Sequence, residues 1–176
     1  AIPTSFPLVL EGLINFNGTI TGSGIKPEFL GDIILADFSL DSLKFDPILQ
    51  GNINLNSEQG TSLNITSSKD KITLQLNPNF SPIFAEIKRD QIVATLTDQQ
   101  TYFDFNLSQF PLHLLRNLVT VCQTNDCLKT NFPGVVERII PPTLLAQNLD
   151  GQVSSHFSFS SHTKNGTGKI TIDHPV

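Results

Sequence analysis

The sequence predicts an all-β protein, a mostly antiparallel β-sheet with one short helical insert. Three observations carry this. Apolar and polar residues alternate with period two along most of the chain. Short clusters of turn residues separate the alternating runs. The 176 residues are 39% apolar and only 15% charged, enough for a buried core without staples and too neutral for charge-driven disorder.

The runs follow in order. Leu10-Glu11-Gly12 opens a strand with Ile14 and Phe16 on one side. Gly22-Ser23-Gly24 lacks the following helix of a dinucleotide site and is a turn. Gly31 to Leu35 is a further strand. From Leu49 to Asn56, Leu49, Gly51, Ile53 and Leu55 oppose Gln50, Asn52, Asn54 and Asn56. Successive side chains of a strand point to opposite faces, so this one has an apolar face and an amide-rich wet face. Leu63 and Ile65 repeat the pattern, then Ile72, Leu74 and Leu76, then Ile92, Ala94 and Leu96, then Phe103, Phe105 and Leu107. Near the end Val153, Phe157 and Phe159 form one side of a strand, and Ile170 and Ile172 one side of the last.

The breaks at Gln59-Gly60, Lys69-Asp70, Asn77-Pro78-Asn79, Arg89-Asp90 and Asn165-Gly166 are short. They predict antiparallel hairpins in a meander. One segment differs. Ser108 is placed to cap and Pro111 to begin a helix, with Leu112, Leu115, Leu118, Val119 and Cys122 at helical spacing. This predicts a helix over roughly 111–121. A second short helix is expected from Thr143 to Leu149, within an insert at about 108–148.

The two ends of the chain echo each other. Pro3-Thr4 and Leu10-Glu11-Gly12 return as Pro142-Thr143 and Leu149-Asp150-Gly151. Both landmarks are displaced equally (142 minus 3 and 149 minus 10 are both 139). Residues 1–148 are then one complete unit and 149–176 the start of the next, in a solenoid-like series. The opening Ala1-Ile2-Pro3 fits a piece of something longer. No signal peptide and no apolar run of membrane-spanning length stands out.

Composition narrows the function classes. The net charge is −5, and basic residues gather no further than pairs such as Lys88-Arg89. A nucleic-acid partner needs a clustered basic footprint and is not expected. Thirteen Phe with one Tyr and no Trp suit a greasy lining better than a sugar-stacking cleft. His113, His156, His162 and His174 lack metal-pair spacing, and no nucleophile elbow or phosphate loop is present. Glu86 and Asp104 lie at wet-face positions. No catalytic residue, metal site or cofactor is expected. Cys122 and Cys127 are too far apart for a redox pair and lack further zinc ligands. They are expected to form a short-loop disulfide in an oxidising compartment. Asn17, Asn64, Asn106 and Asn165 begin glycosylation-type triplets, which an Asn- and Thr-rich sheet generates by chance.

An apolar sheet face must be hidden, by a second sheet, by barrel closure or in an open trough. Alternation does not choose among these. The order of several degenerate motifs does carry a resemblance. Phe45-Asp46-Pro47-Ile48-Leu49-Gln50-Gly51-Asn52-Ile53-Asn54-Leu55 is followed by Gly60-Thr61-Ser62-Leu63-Asn64-Ile65 and Asp70-Lys71-Ile72-Thr73-Leu74. Phe84 to Ala94, Leu107 to Leu112, Leu149-Asp150-Gly151 and Gly166 to Ile172 continue it. This series resembles the translocation-and-assembly-module B (TamB) family, closest to forms from photosynthetic bacteria. It covers about 10–112 and 149–175, and leaves 113–148 unmatched.

The resemblance implies a long envelope protein anchored in the inner membrane and crossing the periplasm. It implies the AsmA-like, bridge-type lipid-transfer architecture, a sheet curled into an open trough (β-taco). The trough carries phospholipid acyl chains between inner and outer membranes. The alternative is a structural module that assists outer-membrane protein biogenesis with an Omp85-type barrel, its groove filled by protein. Adjoining repeats of the same chain are further partners. On this reading the groove is lined by Ile14, Phe16, Ile53, Leu55, Leu63, Ile65, Ile72, Leu74, Leu76, Ile92, Leu96, Phe103, Phe105, Val153, Phe157, Phe159, Ile170 and Ile172. None of these positions carries a charge, as a wall for sliding acyl chains requires.

Overall fold

In the computed structural model, residues 9–100, 102–114, 151–160 and 166–173 are described. They form a single all-β sheet of eleven strands. In chain order these are β1 (Leu10–Gly22), β2 (Pro27–Leu40), β3 (Leu43–Lys44), β4 (Ile48–Asn56), β5 (Gly60–Thr66), β6 (Asp70–Leu76), β7 (Pro82–Arg89), β8 (Ile92–Asp98), β9 (Tyr102–Pro111), β10 (Gln152–Ser160) and β11 (Gly166–Asp173). The spatial order is β1-β2-β4-β5-β6-β7-β8-β9-β10-β11, with β3 paired to β2. Every pairing is antiparallel. Among the described residues β1 and β11 are not paired to each other, so the sheet is an open trough, not a barrel.

The meander follows from the turns. Asn56 Oδ1 accepts from the amides of Glu58 and Gln59 at 2.8 and 2.9 Å. Asn77 Oδ1 accepts from Asn79 and Ser81 at 2.9 and 3.0 Å, and Asp98 Oδ1 from Gln100 at 2.8 Å. Such side-chain closures replace backbone bonds that a reversing chain loses. Pro27 and Pro82 begin their strands and Pro111 ends one, where a missing N–H disturbs the ladder least. Gly51 is required by curvature. A Cβ there would lie 1.8 Å from the carbonyl oxygen of Asn64, so only glycine lets β5 fold this closely over β4.

One end of the trough is sealed. Leu35, Leu40, Leu43, Phe45, Leu49 and Ile65 form a buried cluster with Leu107, Phe110, Leu112, Leu114 and Val153. The β2–β5 side and the β9–β10 side thus share one core although four strands separate β5 from β10. Two segments join over this end. Ser42 Oγ lies 2.6 Å from His113 Nε2, tying the turn before β3 to the residues after β9.

The region around Ser108 differs from the expected helix. Ser108 to Pro111 belong to β9, and helical backbone begins only at Leu112 and is seen through Leu114. A bulge explains the difference. Leu107 pairs Ser155 while Phe110 pairs Val153, so three steps on β9 match two on β10. Gln109 has φ of 48°, and its amide bonds Ser154 Oγ at 3.3 Å. The extra residue shifts the alternation by one and keeps Phe110 inward. The rest of the proposed helix, the expected helix from Thr143 to Leu149, Cys122, Cys127, His162, His174 and Asn165 lie outside the described residues.

Candidate functional site: an apolar trough with one sealed end

The register sorts the sheet into two faces. One cross-strand row of the inner face runs Phe16, Ile33, Gly51, Ile65, Ile72, Ile87, Ala94, Leu107, Ser155 and Ile170. The next runs Gly18, Gly31, Ile53, Leu63, Leu74, Ala85, Leu96, Phe105, Phe157 and Gly168. Leu55 and Leu76 (through Thr61), the Phe103–Phe159 pair, Ile14 and the Val153–Ile172 pair extend the face on either side. Ile92 joins it opposite Arg89. All the groove positions expected from the sequence therefore share one face.

Burial along that face is graded. Toward the sealed end Leu49 is 0%, Ile65 2% and Val153 1% exposed. Away from it Ile53, Leu55, Leu74, Leu76, Leu96, Phe103, Phe157 and Phe159 are only partly buried, while Leu63 and Phe105, also partly buried, pack against the buried cluster. Interior apolar side chains of a filled core are closed off on all sides; these are open on one. At the β1 margin Phe16 stacks on Phe29 with centroids 4.1 Å apart. Its ring lies over Gly18 and Gly31, where added Cβ atoms would come within 2.4 and 2.5 Å of its Cζ.

The inner face also holds charge, which the expected lining did not include. Asp70 pairs Arg89 across β6 and β7. The Asp70 side chain is 0% and that of Arg89 26% exposed, and their ion pair measures 3.4 Å. The Arg89 guanidinium also lies 5.8 Å from the centroid of the Phe45 ring. Asp70 Oδ2 accepts the Asp46 amide at 2.5 Å, so the pair pins the Phe45-Asp46 corner to the sheet. Paired charges with hydrogen bonds tolerate such burial, whereas isolated ones do not. They sit at the sealed end; away from it Asp98 lies on the same face, opposite Phe103. Asp46 anchors the next corner. Its carboxylate accepts from Ser67 Oγ at 2.7 Å, Ser68 Oγ at 3.0 Å and the Lys69 amide at 3.3 Å. The two serine hydroxyls hold its pKa below the ordinary value of 3.8.

The outer face is polar along its middle, with exposed Leu30, Ile34 and Ile48 beside it. Its middle row runs Asn17, Asp32, Asn52, Asn64, Thr73, Glu86, Thr95, Asn106, His156 and Lys169. Glu86 pairs Lys71 at 2.6 Å, Ser158 Oγ donates to Asp104 at 2.5 Å, and His156 Nδ1 meets Asn106 Oδ1. These contacts are structural. Among the described residues no group of three or more His, Cys, Asp or Glu could hold a metal ion, and no helix is long and apolar enough to cross a membrane.

Sequence reading missed Phe29, Ile33, Leu35, Ala85 and Ile87, which share the inner face. Each was legible as an alternating position in β2 or β7. Comparison with protein-family models, with curated proteins and with solved structures returns no match for this chain.

Proposed function

We propose that the trough is a conduit for lipid acyl chains, part of a periplasmic envelope protein that moves phospholipid between inner and outer membranes. The observation that carries this reading is the graded burial. The rows through Leu55, Leu74 and Phe157 are largely apolar yet partly open, whereas a protein-filled face would be dry throughout. A flexible hydrocarbon ligand asks for apolar, weakly directional walls, which these rows supply. The motif order that resembles TamB-like proteins supports the same reading. No catalytic chemistry enters it.

A second reading has its own observation. The sealed end, with Phe110, Leu49, Ile65 and Val153 inside, is filled by protein. If filling extends along the whole face, the unit is a scaffold that supports outer-membrane assembly with an Omp85-type barrel.

Photo-crosslinking in the envelope separates the two. A crosslinking residue replaces Leu55, Leu74 or Phe103, with outer-face Asn54, Thr73 and Asp104 as controls. Phospholipid adducts at the first three and not at the controls are expected. A folded protein with no lipid at either set would overturn the conduit reading.

A further inference from the structure

The β10–β11 hairpin repeats the β1–β2 hairpin in backbone register as well as in residues. In the first, Leu13 pairs Ala36, Ile14 Leu35, Phe16 Ile33, Gly18 Gly31 and Ile20 Phe29. In the second, Gln152 pairs Asp173, Val153 Ile172, Ser155 Ile170, Phe157 Gly168 and Phe159 Gly166. One displacement on the leading strand (152 minus 13, or 139) and one on the returning strand (173 minus 36, or 137) convert every pair of the first set into the second.

Two local features accompany this correspondence. Gly12 and Gly151, again 139 apart (151 minus 12), both have positive φ, 130° and 151°, where L side chains are strained. Both hairpins also cover the glycine of the matching row (Gly31 and Gly168) with a Phe ring, although the two rings come from non-corresponding positions. Phe16 covers Gly31, and Phe157 covers Gly168, where a Cβ would lie 1.9 Å from its Cδ1.

The hairpins differ in what lies beyond them. β10 carries β9 on its other edge, but among the described residues β1 pairs only β2. The cost of that difference is visible in burial. Val153 is 1% exposed and its counterpart Ile14 68%; Ser155 is 8% exposed and its counterpart Phe16 40%. The edge also lacks the usual protection. β1 runs thirteen residues with Glu11 as its one charge and no Pro or Lys, the devices that keep free edges from pairing.

We infer that the free edge of β1 is a docking edge for an antiparallel strand of the β9 kind, contributed by an adjoining unit of the same protein. The register is set by the β9–β10 pairs Val153–Phe110, Ser155–Leu107, Phe157–Phe105 and Phe159–Phe103. Ile14 therefore faces the incoming equivalent of Phe110, Phe16 that of Leu107, Gly18 that of Phe105 and Ile20 that of Phe103. Pairing in this register lays the incoming apolar face beside Phe16 and Ile20, so the inner face runs on across the junction. The inference rests on backbone register and holds whatever fills the trough.

The probe is a ten-residue peptide with the sequence of Tyr102–Pro111, carrying a benzophenone side chain at the Phe105 position, added to the full chain without lipid. Adducts are expected on β1 centred on Gly18. Peptide at about ten times its Kd should slow hydrogen exchange of the free β1 amides roughly tenfold, as mass action requires. A scrambled peptide that breaks the alternation should do neither. Adducts on β11, adducts spread along the chain, or no adduct and no protection would overturn the inference. So would pairing of β1 with a second copy of the chain in the absence of peptide. Because no lipid is present, these outcomes are independent of the lipid-crosslinking result.

Discussion

Leu49 and Leu55 lie on the same strand and the same face, yet truncating them should have very different consequences. Leu49 is 0% exposed within the sealed end. Leu49→Ala removes buried methyl groups and leaves a closed cavity, which costs about 3–5 kcal/mol at sites of this kind. Leu55 is only partly buried. Full burial of a leucine is worth roughly 1.5–3 kcal/mol, so partial burial loses about 1 kcal/mol. No cavity cost is added, because the space left is already open to solvent. Urea unfolding followed by circular dichroism measures both. With a slope of about 2 kcal/mol per molar, Leu49→Ala should lower the midpoint by roughly 2 M and Leu55→Ala by about 0.5 M. Equal midpoint shifts, at equal slopes, would mean that Leu55 sits in a dry core and would refute the open trough.

Three further outcomes follow from the same geometry. Gly51→Ala places a Cβ against the Asn64 carbonyl; thermal melting should show a loss at or beyond the upper end of the usual ~0.5–3 kcal/mol range. Arg89→Met strands the buried Asp70 carboxylate and should cost about 3–5 kcal/mol, much of it recovered when Asp70→Asn is added; a double-mutant cycle in urea reads the coupling. Asp46, held below its ordinary pKa by Ser67 and Ser68, contributes stability that is present above the unfolded carboxylate pKa of about 3.9 and lost as pH falls through the folded value. Acid unfolding curves should therefore show a shallower loss of stability in that window for Asp46→Asn than for the unaltered chain.

Much of this fold is legible because antiparallel strands wetted on one face write period two into the sequence. Ile53, Leu63, Leu74, Leu96 and Phe105 are placed on one face by alternation alone, and pairing register aligns them in one row. Where the backbone breaks period two, local reading fails. The extra residue at Ser108-Gln109 makes the run ending in Phe110 look like a helix start, although β9 continues through it. Pro111 strengthens that reading, yet β8 pairing already stops at Ser108, so no ladder bond to β8 is lost there. The sealed end is harder still to read. Phe45 beneath Arg89 and Ser42 beside His113 are long-range contacts with no periodic signature. Asp70 and Arg89 look like ordinary turn-flanking charges until the hairpin sets them face to face. Curvature is recorded mainly in Gly51, whose missing side chain is informative only once Asn64 is known to lie against it.

The central claim is that the open rows, and not the sealed end, hold hydrocarbon. Methyl resonances of the purified chain, titrated with spin-labelled stearate, test it directly. Leu55, Leu74 and Leu96 should broaden first, while Leu49, Ile65, Leu107 and Val153 stay sharp. Broadening confined to outer-face Leu30 and Ile34, or none at saturating stearate, would contradict the account.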